Sequence, residues 1–273
     1  MTAAEQYPNV TLHFEQRCVA VDIDRVQVTV EDVHTEVRRT VQGCTILGGD
    51  GANSAVRHTM EAQLPNHSSQ VDWLTYGYME LTIPPTEDGG VAIEQHALHI
   101  WPRGAYMLIA LPNDDGSFTC TLFFPFEGTP SLASLHTPEK VQAFFEEEFG
   151  DAVPLLANLQ EEFANNPVGK LGTLTCAPWT HQGKVALLGD AAHAIVPFYG
   201  QGMNASFEDC RILNACIDRH GVGNWAAAYA DYQAQRKPNG DAIGQLAIEN
   251  FYEMRDHVAD PTFRKKRALE HLL

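Results

Sequence analysis

The chain is poor in positive charge. It has 18 Lys and Arg against 35 Asp and Glu over 273 residues, a formal net charge of -17. Phosphate backbones are bound by clustered basic residues, and no basic stripe offsets the deficit, so the composition argues against a nucleic-acid partner. The same field opposes an anionic membrane surface. Long apolar runs are also missing. No stretch approaches the ~20 residues that a membrane-spanning helix needs. Met1 to Glu5 has neither a basic region nor an apolar core, and so does not read as a signal peptide. The six cysteines, Cys18, Cys44, Cys120, Cys176, Cys210 and Cys216, form no C-x-x-C pair. That spacing points to reduced thiols in a cytoplasmic setting and to no zinc site or disulfide scaffold. His96 and His99 fall three apart in a strand-like run, where they would face opposite ways, so no metal site is expected there. No internal repeat or low-complexity tract is visible.

What is present centres on Lys184 to Arg211. Val185 to Leu188 is a short apolar run suited to a buried strand, and it stops at Gly189-Asp190. A loop with Pro197 follows, then Gly200-Gln201-Gly202, then a helical run from Met203. Glycines let a backbone approach a ligand closely. A helix start offers free N–H groups and partial positive charge to an anion or a polarised carbonyl. Asp190, ionised, is acceptor-only and suits ligand hydroxyls. A carboxylate at a strand end and a glycine-rich helix entry are two halves of a cofactor site.

The rest of the chain reads as β-rich first and helical last. Val10, Leu12 and Phe14 alternate with polar residues, and Val19 to Val30 is rich in β-branched residues, so residues 8 to 49 are predicted as strands. Cys44 to Leu47 leads into Gly48-Gly49-Asp50, and Asn53 to Thr59 reads as a short helix. Residues 60 to 69 read as a polar linker. Trp73 to Ile83, Val91 to Trp101, Tyr106 to Leu111 and Ser117 to Pro125 are predicted strands separated by turn signals. Thr137-Pro138 is a helix start, followed by Val141, Phe144, Phe145 and Phe149 at helical spacing. Glu146 to Glu148 reads as a solvated face. A second short helix is expected from Ala152 to Leu159, and residues 170 to 177 as a returning strand. Helices then run from Met203 to Arg219, from Asn224 to a break at Pro238, and from Asp241 to Val258, with a last turn or two opened by Asp260-Pro261.

Three motifs in one order carry a resemblance. They are Gly49-Asp50-Gly51-Ala52-Asn53-Ser54 with Val56-Arg57, then Gly189-Asp-Ala-Ala-His193 with Pro197 and Gly200-Gln-Gly-Met-Asn204 through Glu208-Asp209, then Asn250-Phe-Tyr-Glu-Met-Arg-Asp256. Together they resemble the FAD-dependent aromatic hydroxylases. The wording from His193 to Asn204, and the third motif, are similar to the branch that hydroxylates L-kynurenine in tryptophan degradation. Another aromatic or ubiquinone-precursor hydroxylase, or an inactive relic, stays open as the alternative.

The resemblance implies an α/β FAD/NAD(P)-binding hydroxylase fold with a β-sheet substrate domain and C-terminal helices. It places an FAD-binding portion at 1–59 and 170–215, a β-rich substrate domain at 60–169 and a helical region at 216–273. It implies FAD as cofactor, with NADPH, molecular oxygen and a small aromatic substrate, L-kynurenine, as reactants. Reduced flavin would capture oxygen as a C4a-hydroperoxide, which hydroxylates the ring. Asp50, Gly51, Gly189, Asp190, Gly200, Gln201, Gly202, Met203 and Asn204 would face the cofactor. Arg57 would meet a phosphate or else form a surface ion pair. Pro197, Phe198 and Tyr199 would line the substrate side or simply pack the loop. Asn250 and Met254 would contact substrate, or cap a carbonyl and fill core. His193 is expected to be a structural hydrogen-bonder, and no residue is assigned as a catalytic acid or base. The family opens with a G-x-G-x-x-G loop, and none occurs before Gly49. The N-terminal part is therefore expected to be missing, as in a truncated gene model, a relic or one piece of a split protein. The resemblance leaves room for attachment to the mitochondrial outer membrane through a C-terminal anchor outside this chain.

Overall fold

A computed structural model describes residues 2–257. The last predicted turn, at Asp260-Pro261, lies outside the described residues. The chain divides into two compact units, one of Met1–Val71 with Thr173–Gln245, the other of Asp72–Gly172 with Leu246 onward.

The first unit opens with a helical turn, α1 (Thr2–Glu5). An antiparallel sheet follows, β1 (Gln16–Asp22), β2 (Gln27–Asp32) and β3 (Arg38–Gln42), in sequential order. The strand predicted over Val10, Leu12 and Phe14 does not form. These side chains are exposed, and alternation specifies a strand only where one face has something to bury against.

β4 (Ile46–Gly48) pairs in parallel with β11 (Val185–Leu187), and β10 (Thr180–His181) pairs antiparallel on the other side of β11. Two segments far apart in sequence thus meet at one small three-stranded sheet. α2 (Ala55–Gln63) starts at Ser54, whose hydroxyl accepts from the Arg57 amide at 2.9 Å. Helix α2 runs four residues into the span read as polar linker, because Val56 and Met60 recur on one face and are buried.

α5 (Asp190–His193), α6 (Gly202–His220) and α7 (Trp225–Tyr252) complete this unit and carry the chain onward. Pro238 does not interrupt α7. Residues 228, 229, 232, 236, 240, 244, 247 and 251 are buried at three- and four-residue spacing on both sides of it, while Pro238 and Ala234 are exposed. The carbonyl that loses its partner to proline is therefore on the wet side, where water can satisfy it. The same stripe explains why 216 onward is not a separate helical region. Leu213, Cys216, Ala228, Tyr229 and Tyr232 share one core with Ile46, Val185, Ala186 and Leu187.

The second unit is built on a five-stranded sheet ordered β6-β7-β8-β5-β9. Its strands are β5 (Ser68–Ile83), β6 (His99–Pro102), β7 (Met107–Pro112), β8 (Phe118–Pro125) and β9 (Gly169–Ala177). The strand predicted from Val91 shortens to β6, and His96 lies before it in a turn. α3 (Pro138–Glu148) is capped by Thr137 and buries Val141, Phe144 and Phe145. The predicted second helix resolves into a single 3-10 turn, Val153–Leu155, and α4 (Leu159–Asn165). Phe118, Phe124, Phe144, Phe145, Phe149 and Phe163 join in one core, so these aromatics are structural. No helix among the described residues is long and apolar enough to cross a membrane.

Candidate functional site

The parallel pair β4–β11 aims two chain reversals the same way. Gly48 in β4 packs so tightly that a Cβ there would sit 2.9 Å from Val56 and 3.0 Å from Leu187. At the end of β11 the chain turns at Gly189 with φ 59 and ψ -144, a conformation essentially reserved for glycine. Its added Cβ would also fall 3.0 Å from the Ser206 hydroxyl. Gly200 closes the next turn in the left-handed region, φ 64 and ψ 21, and α6 begins two residues later.

Between these turns lies a cavity of about 610 Å³, within the first unit. Of the residues predicted to face a cofactor, Gly51, Gly189, Asp190, Gly200, Gly202 and Met203 line it. Gly49, Leu188, Ile195, Ser206, Phe207 and Cys210 line it too, and none of these is a contact that the sequence predicts. A Cβ at Gly51 or Gly200 would project into open space, as expected where a ligand approaches the backbone. Asp190 is exposed and has no hydrogen bond from the described residues. The first N–H groups of α6, from Gly202 to Asn204, have no acceptor within the helix. Bare backbone, free N–H groups and an unused carboxylate fit a dinucleotide with ribityl hydroxyls, and Asp190, Gly51, Gly200 and Gly202 are the residues that would hold it.

Other predicted residues stand elsewhere. Asp50 caps α2, accepting from the Ser54 hydroxyl at 2.6 Å and from the Ala55 amide at 2.7 Å. Gln201 precedes α6 and accepts from the Asn204 side chain at 3.1 Å. Pro197 lines the cavity, whereas Phe198 is buried and Tyr199 is 46% exposed. Arg57 forms no surface ion pair. It is 3% exposed and donates to two carbonyls, Ala191 at 3.0 Å and Ala52 at 2.6 Å. A guanidinium presents five donors in a fixed fork, which lets one side chain join two backbone segments.

In the second unit, Asn250 donates to the Met254 sulfur at 3.4 Å, so the two residues share a face as their four-residue spacing predicts. The Arg255 guanidinium lies 5.2 Å from the Tyr76 ring centre and 5.1 Å from that of Phe251.

Behind the cavity wall sits a buried network that the sequence did not assign. Asp209 Oδ2 accepts from the Gly189 amide at 2.8 Å and from His193 Nε2 at 2.5 Å, and Oδ1 accepts from Arg236 Nε at 2.8 Å. Burial by itself would raise the Asp209 carboxyl; the bonds from His193, Gly189 and Arg236 outweigh it and hold it below the ordinary carboxylate value. His193 is buried against Trp179, ring centres 5.0 Å apart, in the structural role expected for it. Cys176 donates to the Ala192 carbonyl at 3.2 Å, and burial pushes its thiol up to about 11, which makes it unreactive at neutral pH. The sequence signals for the network were motif positions, Gly189, His193 and Asp209, with His193 expected as a hydrogen-bonder. Arg236, twenty-seven residues after Asp209, carried none.

Residues 1–245 match the FAD binding domain family. Among curated relatives, kynurenine 3-monooxygenase of Myxococcus xanthus (strain DK1622) is 48% identical over 273 residues, covering 100% of this chain and 58% of that protein. Kynurenine 3-monooxygenase of Dictyostelium discoideum is 45% identical over 280 residues, covering 98% of this chain and 60% of its own length. The chain thus spans about three-fifths of these relatives. Among solved structures, the tetrameric form of 2-methyl-3-hydroxypyridine-5-carboxylic acid oxygenase superposes with a TM-score of 0.71 at 21% identity, over 93% of this chain and 65% of the other. Klebsiella pneumoniae HpxO complexed with FAD and uric acid gives 0.66 at 20% identity, over 93% and 61%. The shared fold, the glycine-walled cavity and the match over residues 1–245 agree, and the chain belongs to the FAD binding domain family.

Proposed function

We propose that this chain forms part of an FAD-dependent, NADPH-using monooxygenase that hydroxylates L-kynurenine at C3. The observation that carries the reading is the cavity walled by Gly51, Gly189–Asp190 and Gly200–Met203, in a chain 48% identical along its full length to a kynurenine 3-monooxygenase. When bound, FAD supplies the redox chemistry, taking reducing equivalents from NADPH and activating oxygen. The chain's own residues bind and orient. Asp190 accepts hydrogen bonds from the ribityl hydroxyls. The N–H groups at Gly202, Met203 and Asn204 would hold the flavin and would offset negative charge that gathers on it. Asp50 holds the start of α2 and so fixes Gly51. Pro197 borders the substrate side. Asn250 offers an amide to the polar head of the substrate, and Met254 a soft apolar contact to its ring.

The test has two arms. FAD affinity is measured by fluorescence titration for the chain and for Asp190→Ala. Loss of a hydrogen bond to a charged group costs about 1.5–3 kcal/mol, so affinity should fall roughly tenfold to a hundredfold. Turnover is measured with the chain grafted onto the N-terminal portion of the Myxococcus xanthus relative, following kynurenine-dependent NADPH oxidation and 3-hydroxykynurenine. Coupled hydroxylation of p-hydroxybenzoate without that of kynurenine overturns the substrate and leaves the cofactor.

A further inference from the structure

Asp190 is bare at the cavity wall, yet the residues on both sides of it are held from behind. On one side the Gly189 amide donates to Asp209 at 2.8 Å. On the other the Ala191 carbonyl accepts from Arg57 Nη1 at 3.0 Å. The same guanidinium donates through Nη2 to the carbonyl of Ala52, next to the cavity-lining Gly51. Arg57 and Asp209 are 3% and 0% exposed, and neither lines the cavity.

Burying an ion is costly unless its bonds are well made. Asp209 meets that condition with three donors. Arg57 has no carboxylate paired with it among the described residues, and its Nε is buried without a partner. A guanidinium kept for stability alone would be expected beside an anion. This one instead joins the backbone that follows Gly51 to the backbone that follows Asp190, two walls of one cavity that lie far apart in sequence.

We propose that Arg57 and Asp209 are positioning residues for Asp190. They clamp the residues on either side of it, through the Gly189 amide and the Ala191 carbonyl, and thereby fix the direction of its carboxylate, without touching what that carboxylate binds. The proposal rests on the reading of Asp190 as the acceptor for cofactor hydroxyls. It also gives Arg57 a different part from the phosphate contact suggested by its motif. Lysine at 57 would keep the charge but lose the fork that spans two carbonyls. Asparagine at 209 would keep the shape but lose the charge shared by three donors.

The experiment compares the full chain with Arg57→Lys and Asp209→Asn by amide exchange and by the carboxyl carbon resonance of Asp190, without cofactor. Exchange at Gly189 and at Ala192, whose amide shares a peptide with the Ala191 carbonyl and donates to Gly189, should quicken about tenfold or more, with β8 amides unchanged, because the opening is local. The Asp190 carboxyl resonance should move in both variants. If either variant is too unstable to assign, Asp209→Glu, which keeps the charge and shifts its position, is read in the same way. Unchanged Gly189 and Asp190 signals, or quickening spread evenly through the chain, overturns the proposal. FAD titration separates this from the underlying reading. Each variant should weaken binding about tenfold in an Asp190 background and leave it unchanged in an Asp190→Ala background, the mark of residues acting through one another. If Asp190→Ala alone changes nothing while the Asp190 resonance still moves in the variants, the cofactor role fails and the clamp stands. Additive losses of affinity sink the clamp.

Discussion

The amide of Gly189 donates to Oδ2 of Asp209, twenty residues away in the chain, at 2.8 Å. A strand-end turn is thereby fastened to the middle of the helix that follows it. The carboxylate is fully buried and also holds His193 and Arg236, so the turn, α6 and α7 are joined at one residue.

Removing that carboxylate strands a buried cation. Asp209→Ala should destabilise the chain by about 3–5 kcal/mol, because Arg236 would keep its charge and lose its partner. Urea unfolding followed by Trp179 fluorescence reads the difference. A change below about 1 kcal/mol, the usual reach of a surface ion pair, would mean the network is not stabilising.

Two neighbouring glycines should separate folding from ligand approach. Gly200 has φ 64, so Gly200→Ala should cost about 1–2 kcal/mol in thermal or chemical unfolding. Gly202 lies in the first turn of α6, and a Cβ there would meet only Ile195, at 3.8 Å. Gly202→Ala should therefore leave stability unchanged or raise it by up to about 1 kcal/mol. FAD titration should nevertheless show weaker binding in Gly202→Ala, since that Cβ enters the cavity. Equal affinity would remove Gly202 from the site.

Acid should loosen the junction of α6 and α7. Asp231 accepts from His220 at 2.9 Å, from Gln235 at 2.7 Å and from Arg219 at 2.5 Å. These bonds, His220 first, lower its carboxyl from 3.8 to about 2. A lowered folded value means that the unfolded chain takes up the proton first. The stabilisation is intact above the unfolded value and is lost as pH falls from 3.8 toward about 2. Thermal midpoints of Asp231→Asn should fall less steeply than wild type across that window. Parallel slopes would show that Asp231 does not contribute.

Pro238 is tolerated in α7 at a cost that can be recovered. Restoring the missing N–H with Pro238→Ala should stabilise the chain by about 1–3 kcal/mol, less than the full proline penalty because water already meets the exposed carbonyl. Urea unfolding is the readout. A loss of stability would show that the proline shapes the helix in a way α7 needs.

Much of the site was legible because its chemistry is local. Gly189, Gly200 and Gly202 are glycines for reasons of φ and of space, and Asp190 is placed by the strand it ends. Thr137-Pro138 capped α3 as a start signal should. Local signals misled where they lacked a partner. Val10, Leu12 and Phe14 alternate like a strand but have nothing to pair with or pack on. Pro238 reads as a break until the burial stripe on either side is known. Arg57 follows the Asp50-Gly51 motif and so reads as a ligand contact, but its fork is turned inward to Ala52 and Ala191.

Residues close together in the chain, or a motif read as a unit, were enough for the β-rich and helical order, the glycine turns, the carboxylate at 190 and the family to which the motifs belong. Chain folding in three dimensions was needed to bring Asp209 to Gly189, His193 and Arg236, to set Arg57 across Ala52 and Ala191, and to leave Asp50 capping a helix. Buried ions choose their partners through space, over separations of up to 134 residues here, and no local pattern records that choice.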